Sequence, residues 1–362
     1  MAHVVIDGRR LDSSTQNYGR SLLKYLEKID SDNQYTVITL PTDKRWQPSK
    51  PNFKILTTEY DNYTFGEQLG LWRLIKSLKP DLVHFLMPQQ PLLYRGKRIT
   101  TVHDLTLVHF QNLDKNKLIY TIEQTIFKFL LKNVVRRSEF VITPTEYVKE
   151  DLVQYSGISP DKVMVTLESV DPIDDPAEPV AALQDKPFLF QVSNAFPYKN
   201  LQLLVEAFKE LKADYPDLQL ALAGKKEFFY EQLEAKAKAD GVRDVHFLGF
   251  VSEGEKRWLY ENAAAHVNPS RSEGFGLQCL EAMLYKAPMV VSSATCLPEV
   301  ADNTALYFDP DDKDELVRQI KKVLNNDPIV SENISRYKKR LETFSWQKMA
   351  KETHNLYQQA LK

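Results

Sequence analysis

Residues 171–187, DPIDDPAEPVAALQDKP, hold four prolines and five acids and follow no hydrophobic period. Such a stretch buries too little apolar surface to fold by itself and reads as a solvated linker. It divides the chain into two blocks, each of which must build its own core. Both blocks alternate short apolar runs with amphipathic helical stretches, the pattern of strands and crossover helices in a doubly wound parallel sheet. In the first block, strands are predicted at His3–Asp7, Gln34–Leu40, Phe53–Leu56, Leu82–Leu86, Ile99–Val102 and Phe140–Thr143. In the second they are predicted at Phe188–Val192, Leu218–Ala223, Val245–Phe247, Ala265–Asn268, Met289–Ser292 and Ala305–Phe308.

The fold class is therefore α/β, with two Rossmann-like domains at 1–170 and 188–344 joined by the linker 171–187. The closing stretch 345–362, SWQKMAKETHNLYQQALK, carries Trp346, Met349, Ala350, Thr353 and Tyr357 at helical spacing. That stripe is expected to pack back on the first domain. A length of 362 residues suits two domains, and 43% hydrophobic with 27% charged residues excludes a disordered chain.

No run approaches the ~18 apolar residues of a membrane span, and the opening MAHVVIDGRR reads as a strand instead of a signal peptide, so a cytoplasmic location is expected. Cys279 and Cys296 are too few for a disulfide framework and read as reduced core thiols. A net charge of −2 argues against a nucleic-acid partner. The sum hides an asymmetry: residues 1–150 carry 22 basic and 16 acidic side chains, whereas residues 151–362 carry 25 and 33. The first half would tolerate an anionic partner better. The histidines show no H-E-x-x-H spacing and no G-x-S-x-G elbow is present. Asp309-Pro310-Asp311 spells D-x-D but sits between a strand and a helix start, as a turn should. No metal is assigned.

The chemistry concentrates in Asn268–Met283, NPSRSEGFGLQCLEAM, where a glycine turn joins an apolar strand to an apolar-periodic helix. Gly274 and Gly276 lack the side chains that would keep a ligand off the backbone, and the amides from Gly274 to Leu277 open the helix. Helix-end N–H groups and the positive end of the dipole suit a diphosphate. Glu281, one turn further on, offers a carboxylate that can accept both hydroxyls of a ribose. Glu273 stands at the strand mouth, within reach of a sugar. A lone G-x-G turn is also an ordinary way to pack a helix on a strand, so its neighbours must carry the argument.

Glu273 and Glu281 are separated by seven residues, and the segment resembles the E-x7-E motif of family 4 glycosyltransferases, retaining enzymes of the GT-B fold. The downstream APMVVSSATCLPEVADNTALYFDPDD resembles the same family's continuation, and the likeness covers most of residues 188–320 and, more loosely, the first half. The resemblance implies two domains facing across a cleft, with the nucleotide-sugar donor on the second. It implies that Glu281 binds the nucleotide ribose, that Glu273 lies beside the transferred sugar, and that Gly274, Phe275, Gly276 and Leu277 meet diphosphate and sugar. QVSNAFPYKNLQLLVEAF resembles the family's pattern after the first strand of the donor domain, placing Lys199 against the leaving diphosphate. A fixed cation there would stabilise charge that grows as the glycosidic bond breaks. The bland reading of Lys199 is an exposed lysine at a helix start.

The family often carries a basic residue shortly before that lysine, whereas Ser193 and Asn194 stand here. Arg20 and Lys225 are alternative cations, and Asn194 is an alternative neutral donor. Gly224, after LQLALA, resembles the glycine lining the nucleotide pocket, and Gly249–Val251 the backbone that meets the base, which makes Val251 a candidate contact. In the first half, TTVHDLTLVHF resembles the family's H-D-L element, which implies that His103 faces the donor sugar, although a histidine at a strand end is also an ordinary core residue. STQNYGRSLLKYL resembles the glycine loop of the acceptor domain, making Gly19 and Arg20 candidates there.

Lys128, Lys132 and Arg136 recur every fourth residue within 115–137. They form a stripe that is either a solvated face or a contact for anionic lipid on the inner face of the membrane. The function expected is retaining transfer of a hexose, mannose first, from GDP-mannose or a UDP-sugar to a hydroxyl of a glycan or lipid-linked acceptor in cell-surface glycan or glycolipid synthesis. The donor is a substrate and no resident cofactor is implied. A non-catalytic sugar-nucleotide or glycan-binding protein and a GT-B phosphorylase or epimerase remain as alternatives.

Overall fold

Thirteen strands form two all-parallel sheets in the computed structural model, which describes residues 1–11, 16–42, 46–62, 64, 66–110 and 117–362. The first sheet contains β1 (His3–Asp7), β2 (Gln34–Thr39), β3 (Phe53–Thr57), β4 (Leu82–Phe85), β5 (Arg98–Thr101), β6 (Phe140–Thr143) and β7 (Val163–Val165), in the order β3-β2-β1-β4-β5-β6-β7. The second contains β8 (Phe188–Val192), β9 (Gln219–Ala223), β10 (Val245–Gly249), β11 (Ala265–Asn268), β12 (Met289–Ser292) and β13 (Leu306–Phe308), in the order β10-β9-β8-β11-β12-β13. Leu189 pairs with Leu220 on one side and Ala265 on the other. Both orders reverse once, between β1 and β4 and between β8 and β11. The strands are near-continuous apolar runs because helices cover both faces of a parallel sheet.

The chain divides into two compact units. The first is built from the chain up to Glu168 together with Ser345–Lys362, and the second is Ser169–Phe344. In the first unit, helix Gln16–Ile29 buries Leu22, Leu23 and Leu26 in one cluster with Met349, Ala350, Leu356 and Tyr357 of helix Trp346–Leu361. Tyr357 also reaches the sheet: its hydroxyl lies 2.6 Å from His84 Nδ1, and His84 Nε2 lies 2.9 Å from Thr101 Oγ1. The fully buried Arg9 is matched by Asp7 at 2.8 Å and Glu67 at 2.9 Å. Such a charge is tolerable only because it is paired. In the second unit, helix Leu201–Leu211 turns Leu204, Phe208 and Leu211 onto the sheet beside Leu316 and Ile320 of helix Lys313–Leu324.

Two features depart from the sequence reading. The edge strand β7 pairs with β6 over Val141–Thr143 and was not among the predicted strands. Its core is three residues long, and an edge strand with one wet face lacks a sustained apolar signal. The proline-rich stretch 171–187 is exposed over most of its length, as a solvated linker should be, but it is tethered to the second unit. The Tyr285 hydroxyl accepts the Ile173 N–H at 2.7 Å, Glu178 N–H donates to Gly254 O at 3.0 Å, and Leu183 is buried.

Burial pushes the His84 imidazole down to about 3, with His103 adding to the effect, and pushes His266 down to about 4. Unfolded histidine titrates near 6.5, so between pH 6.5 and about 4 the unfolded chain binds protons that the folded chain refuses. Stability should therefore fall as pH drops through this window. Denaturant midpoints measured from pH 7 to 4.5 check the slope, and His84→Gln should reduce it by about one proton, ~1.4 kcal/mol per pH unit.

Candidate functional site

The reversal between β8 and β11 sends their following connections to opposite faces and leaves a crevice at the carboxyl ends of the two strands, where ligands bind in open α/β sheets. The loop after β8 contains a short 3-10 turn, Pro197–Lys199, stopped by Asn200 in the left-handed conformation at φ 58°. The loop after β11 runs from Pro269 to Gly276. The two are laced together: Arg271 N–H donates to Tyr198 O at 2.7 Å, and Asn200 Nδ2 donates to Pro269 O at 3.1 Å.

Across this seam Lys199 Nζ lies 2.7 Å from both carboxylate oxygens of Glu273. Their side chains are only 12% and 11% exposed. Ser270 Oγ donates to Glu273 Oε1 at 2.8 Å, Glu273 N–H donates to Thr295 Oγ1 at 3.2 Å, and Lys199 Nζ sits 5.4 Å from the centre of the Tyr198 ring. A cation and an acid are thus held rigidly at one strand mouth. The Cys279 thiol is pushed up to about 12 by burial, and that of Cys296 well up for the same reason, so neither is a nucleophile.

Phe275 is buried edge-on against Phe344, at 5.8 Å between centroids. Gly276 caps helix Leu277–Leu284 at φ 86°, where a Cβ would also approach Leu297 Cδ2 to 2.7 Å. Only glycine suits both demands. The half-buried Gly274 precedes this cap and Leu277 begins the helix, whose first turn opens beside Glu273. Gln278 Nε2 donates to Val192 O at 2.6 Å and ties the helix to β8.

Glu281 is not an unengaged acceptor. Tyr260 donates to its Oε2 at 2.9 Å and Lys256 Nζ lies 3.2 Å from Oε1. Burial and then Glu281 push the Tyr260 phenol well up, so it stays a donor. Burial opposes the charge on Lys256, but Glu281 and Glu253 raise it above the ordinary lysine value. Both residues stand one turn apart on helix Glu253–Asn262, which the Ser252–Glu255 capping box starts.

The structure places Asn194 in the loop after β8, with its Oδ1 buried and without a hydrogen-bond partner among the described residues. A Cβ on Gly224 would lie 1.8 Å from Ser193 O, so glycine is required there by the close approach of the neighbouring loop. Gly224 N–H donates to Gly249 O at 2.8 Å, bringing the ends of β9 and β10 together, and Val251, two residues on, is half-buried before the Ser252 cap. Lys225, one of the alternative cations, is mostly exposed and pairs with Glu227 at 2.7 Å.

His103, Gly19 and Arg20 belong to the first unit. His103 Nε2 lies 3.1 Å from Leu86 O and Nδ1 3.3 Å from Glu168 Oε1, and the Tyr18 ring meets its ring edge-on at 4.9 Å. Gly19 lies in the first turn of helix Gln16–Ile29, where a Cβ would meet Leu11 Cδ2 at 2.4 Å. Ser14 and Thr15 of that motif fall outside the described residues. Arg20 donates to Asn17 Oδ1 at 3.1 Å.

The basic stripe is also partly spent on packing. Lys132 Nζ lies over the Tyr155 ring at 4.6 Å and Arg136 Nη2 donates to Ser156 O at 2.8 Å. On the same helix Ile126 and Phe129 are 59% and 63% exposed. Sequence reading missed Tyr260, Lys256, Ser270, Thr295 and Glu168. Of these only the i, i+4 pair Lys256 and Tyr260, behind a legible capping box, left a local signal.

Comparison with known proteins agrees with this architecture. Residues 175–341 match glycosyl transferases group 1, and residues 15–173 match glycosyltransferase family 4. The O-antigen chain mannosyltransferase RfbU of Salmonella typhimurium is 28% identical over 299 residues, 83% of this chain and 78% of that protein. Sucrose-phosphate synthase from Thermosynechococcus elongatus superposes with a TM-score of 0.79 at 17% identity, over 99% of both chains. HepE from Anabaena in complex with UDP and glucose does so with a TM-score of 0.70 at 14% identity, over 99% of this chain and 100% of the other. No helix among the described residues is long and apolar enough to cross a membrane. The chain belongs to family 4 of the glycosyltransferases and has the GT-B fold, built from two Rossmann-like units.

Proposed function

We propose that the chain is a retaining hexosyltransferase that moves mannose from GDP-mannose, with UDP-sugars as the second donor class, to a hydroxyl of a glycan or lipid-linked acceptor. The observation that carries this reading is the Lys199–Glu273 pair beside the glycine-capped helix start, at the switch point of the second sheet. Mannose is favoured by the relative from Salmonella typhimurium, named an O-antigen chain mannosyltransferase; the UDP bound in HepE keeps the second donor class in view. The setting is the synthesis of a cell-surface glycan or glycolipid.

The chemistry follows from the charges. As the bond between the anomeric carbon and the diphosphate oxygen breaks, negative charge grows on the diphosphate. The Lys199 ammonium and the first-turn N–H groups after Gly276 stabilise it. The acceptor oxygen bonds to the same carbon on the same face, and its proton passes to the departing diphosphate. No enzymic nucleophile is required. Glu273 and, from the first unit, His103 would position the sugar while positive charge develops at its anomeric carbon. Binding must draw Lys199 partly from Glu273 to the diphosphate, and Ser270 and Thr295 hold the acid and its backbone in place through that exchange. Glu281, aimed by Tyr260 and Lys256, would accept the ribose hydroxyls. Asn194, Gly224 and Val251 would line the nucleotide.

A lipid-linked acceptor would place the first unit at a membrane surface, and the exposed Ile126 and Phe129 beside Lys128 and Lys132 support such a contact.

GDP-mannose should raise the melting temperature of the intact chain. Lys199→Ala and Glu273→Gln should each lower turnover by about 100-fold or more. Near-normal turnover in both variants would sink the reading. Tyr260→Phe should raise the donor KM about ten-fold while leaving kcat within a few-fold, because it loosens ground-state and transition-state binding alike. Ile126→Ser combined with Phe129→Ser should reduce co-sedimentation with anionic vesicles, and equal sedimentation of the wild type with neutral and anionic vesicles would remove the lipid contact.

A further inference from the structure

Beside the Lys199 loop, between helices Leu201–Leu211 and Phe228–Ala239, lies an open cavity of 570 Å³. Nothing in the mechanism above uses it. One wall is a row of three phenylalanine rings, Phe228, Phe229 and Phe196, backed by Tyr198. Phe228 is 50% exposed and meets Phe229 at 5.3 Å, Phe229 meets Phe196 at 5.6 Å, and Phe196 stacks on Tyr198 at 5.7 Å with planes 8° apart. The row ends under Lys199, whose Nζ lies 5.4 Å from the Tyr198 ring centre. Leaving a phenylalanine half in water forgoes part of its burial energy, so such a residue at a cavity mouth marks a contact surface.

The other wall is polar, and both of its cations are already paired. Arg271 is bound to Asp311 at 2.8 Å and Lys236 to Asp240 at 2.8 Å, while Gln202 Nε2 donates to Glu206 Oε1 at 2.8 Å. The cations therefore set up no net field for a phosphate or a carboxylate. A lipid tail would strand these polar groups. Ring faces on one side and amides on the other suit a neutral ligand with apolar C–H faces and many hydroxyls: the C–H groups pack on ring faces, whose quadrupole is negative, and amides such as that of Gln232 meet the hydroxyls. The volume lies within the ~300–1,000 Å³ range of small-ligand sites.

We infer that this cavity binds a neutral stretch of saccharide, an inner part of the acceptor or product glycan, and so holds the chain next to the Lys199–Glu273 site. The choice of a glycan segment rests on the transferase reading; the preference for a neutral polyhydroxyl ligand rests on the cavity. Because Arg271 and Glu273 share one loop, and Phe196 and Lys199 another, a ligand here touches both catalytic loops from behind.

The test uses the intact chain with mannotriose and cellotriose as neutral probes, followed by saturation-transfer NMR and calorimetry. At least one trisaccharide should bind in the millimolar range. Phe228→Ala and Gln232→Ala should each weaken it about ten-fold, and Phe228→Tyr, which keeps the ring, should restore binding. All three variants should bind the nucleotide-sugar donor as the wild type does, because neither side chain touches Lys199 or Glu273. Absence of trisaccharide binding up to about 10 mM, or binding undiminished by both alanine variants, overturns the inference. Trisaccharide binding lost in Phe228→Ala, in a chain that binds no nucleotide sugar, would uphold this site while removing the transferase reading.

Discussion

An open, wholly parallel sheet has to be covered on both faces, and with right-handed crossovers a chain does this by reversing the direction in which it adds strands. That reversal is the constraint from which the rest of the second unit follows. It separates the connections after β8 and β11, leaves their loops side by side, and brings a lysine and a glutamate 74 positions apart within 2.7 Å. The first unit repeats the device with β1 and β4. There the helix after β1 supplies Tyr18, the chain after β4 supplies the Leu86 carbonyl, and both meet the His103 ring.

The two acids of the E-x7-E pair are close in sequence yet electrostatically distinct. Glu273 is balanced by a single lysine and a serine hydroxyl at the sheet edge, while Glu281 is gripped from a neighbouring helix by a phenol and a second lysine. A buried carboxylate without such partners would carry a penalty of several kcal/mol. The partners therefore serve two ends: they make burial of each charge tolerable, and they restrict where its oxygens point. Gly276 sets the angle between the two, because the left-handed cap turns the chain from the strand mouth into the helix within one residue.

How much of this was legible in the sequence depended on whether the signal was local. Strand runs such as Val4–Ile6 and Leu220–Ala223 announce themselves because parallel strands are apolar on both faces. The glycine turn was visible because strand, turn and helix follow in order, and the family likeness gave it a chemical sense that spacing alone could not. The role of Gly19 was not legible, because a glycine that packs closely on Leu11 looks the same in sequence as one that meets a ligand. The lysine stripe was legible as one helical face, but periodicity does not report what Tyr155 and Ser156 do to that face. Glu168, 65 residues from His103, and Tyr260, 21 from Glu281, meet their partners only through the fold.

The return of helix Trp346–Leu361 to the first unit has a consequence for biogenesis. Domains made on the ribosome ordinarily fold in the order in which they emerge. Here the amino-terminal core lacks Met349, Leu356 and Tyr357 until the far end of the chain has been made, so His84 and the inner face of helix Gln16–Ile29 stay uncovered throughout translation of the other unit. The portion synthesised second is thus the first able to complete its packing. The nascent amino-terminal half must remain soluble in an unfinished state until its own last helix clears the exit tunnel.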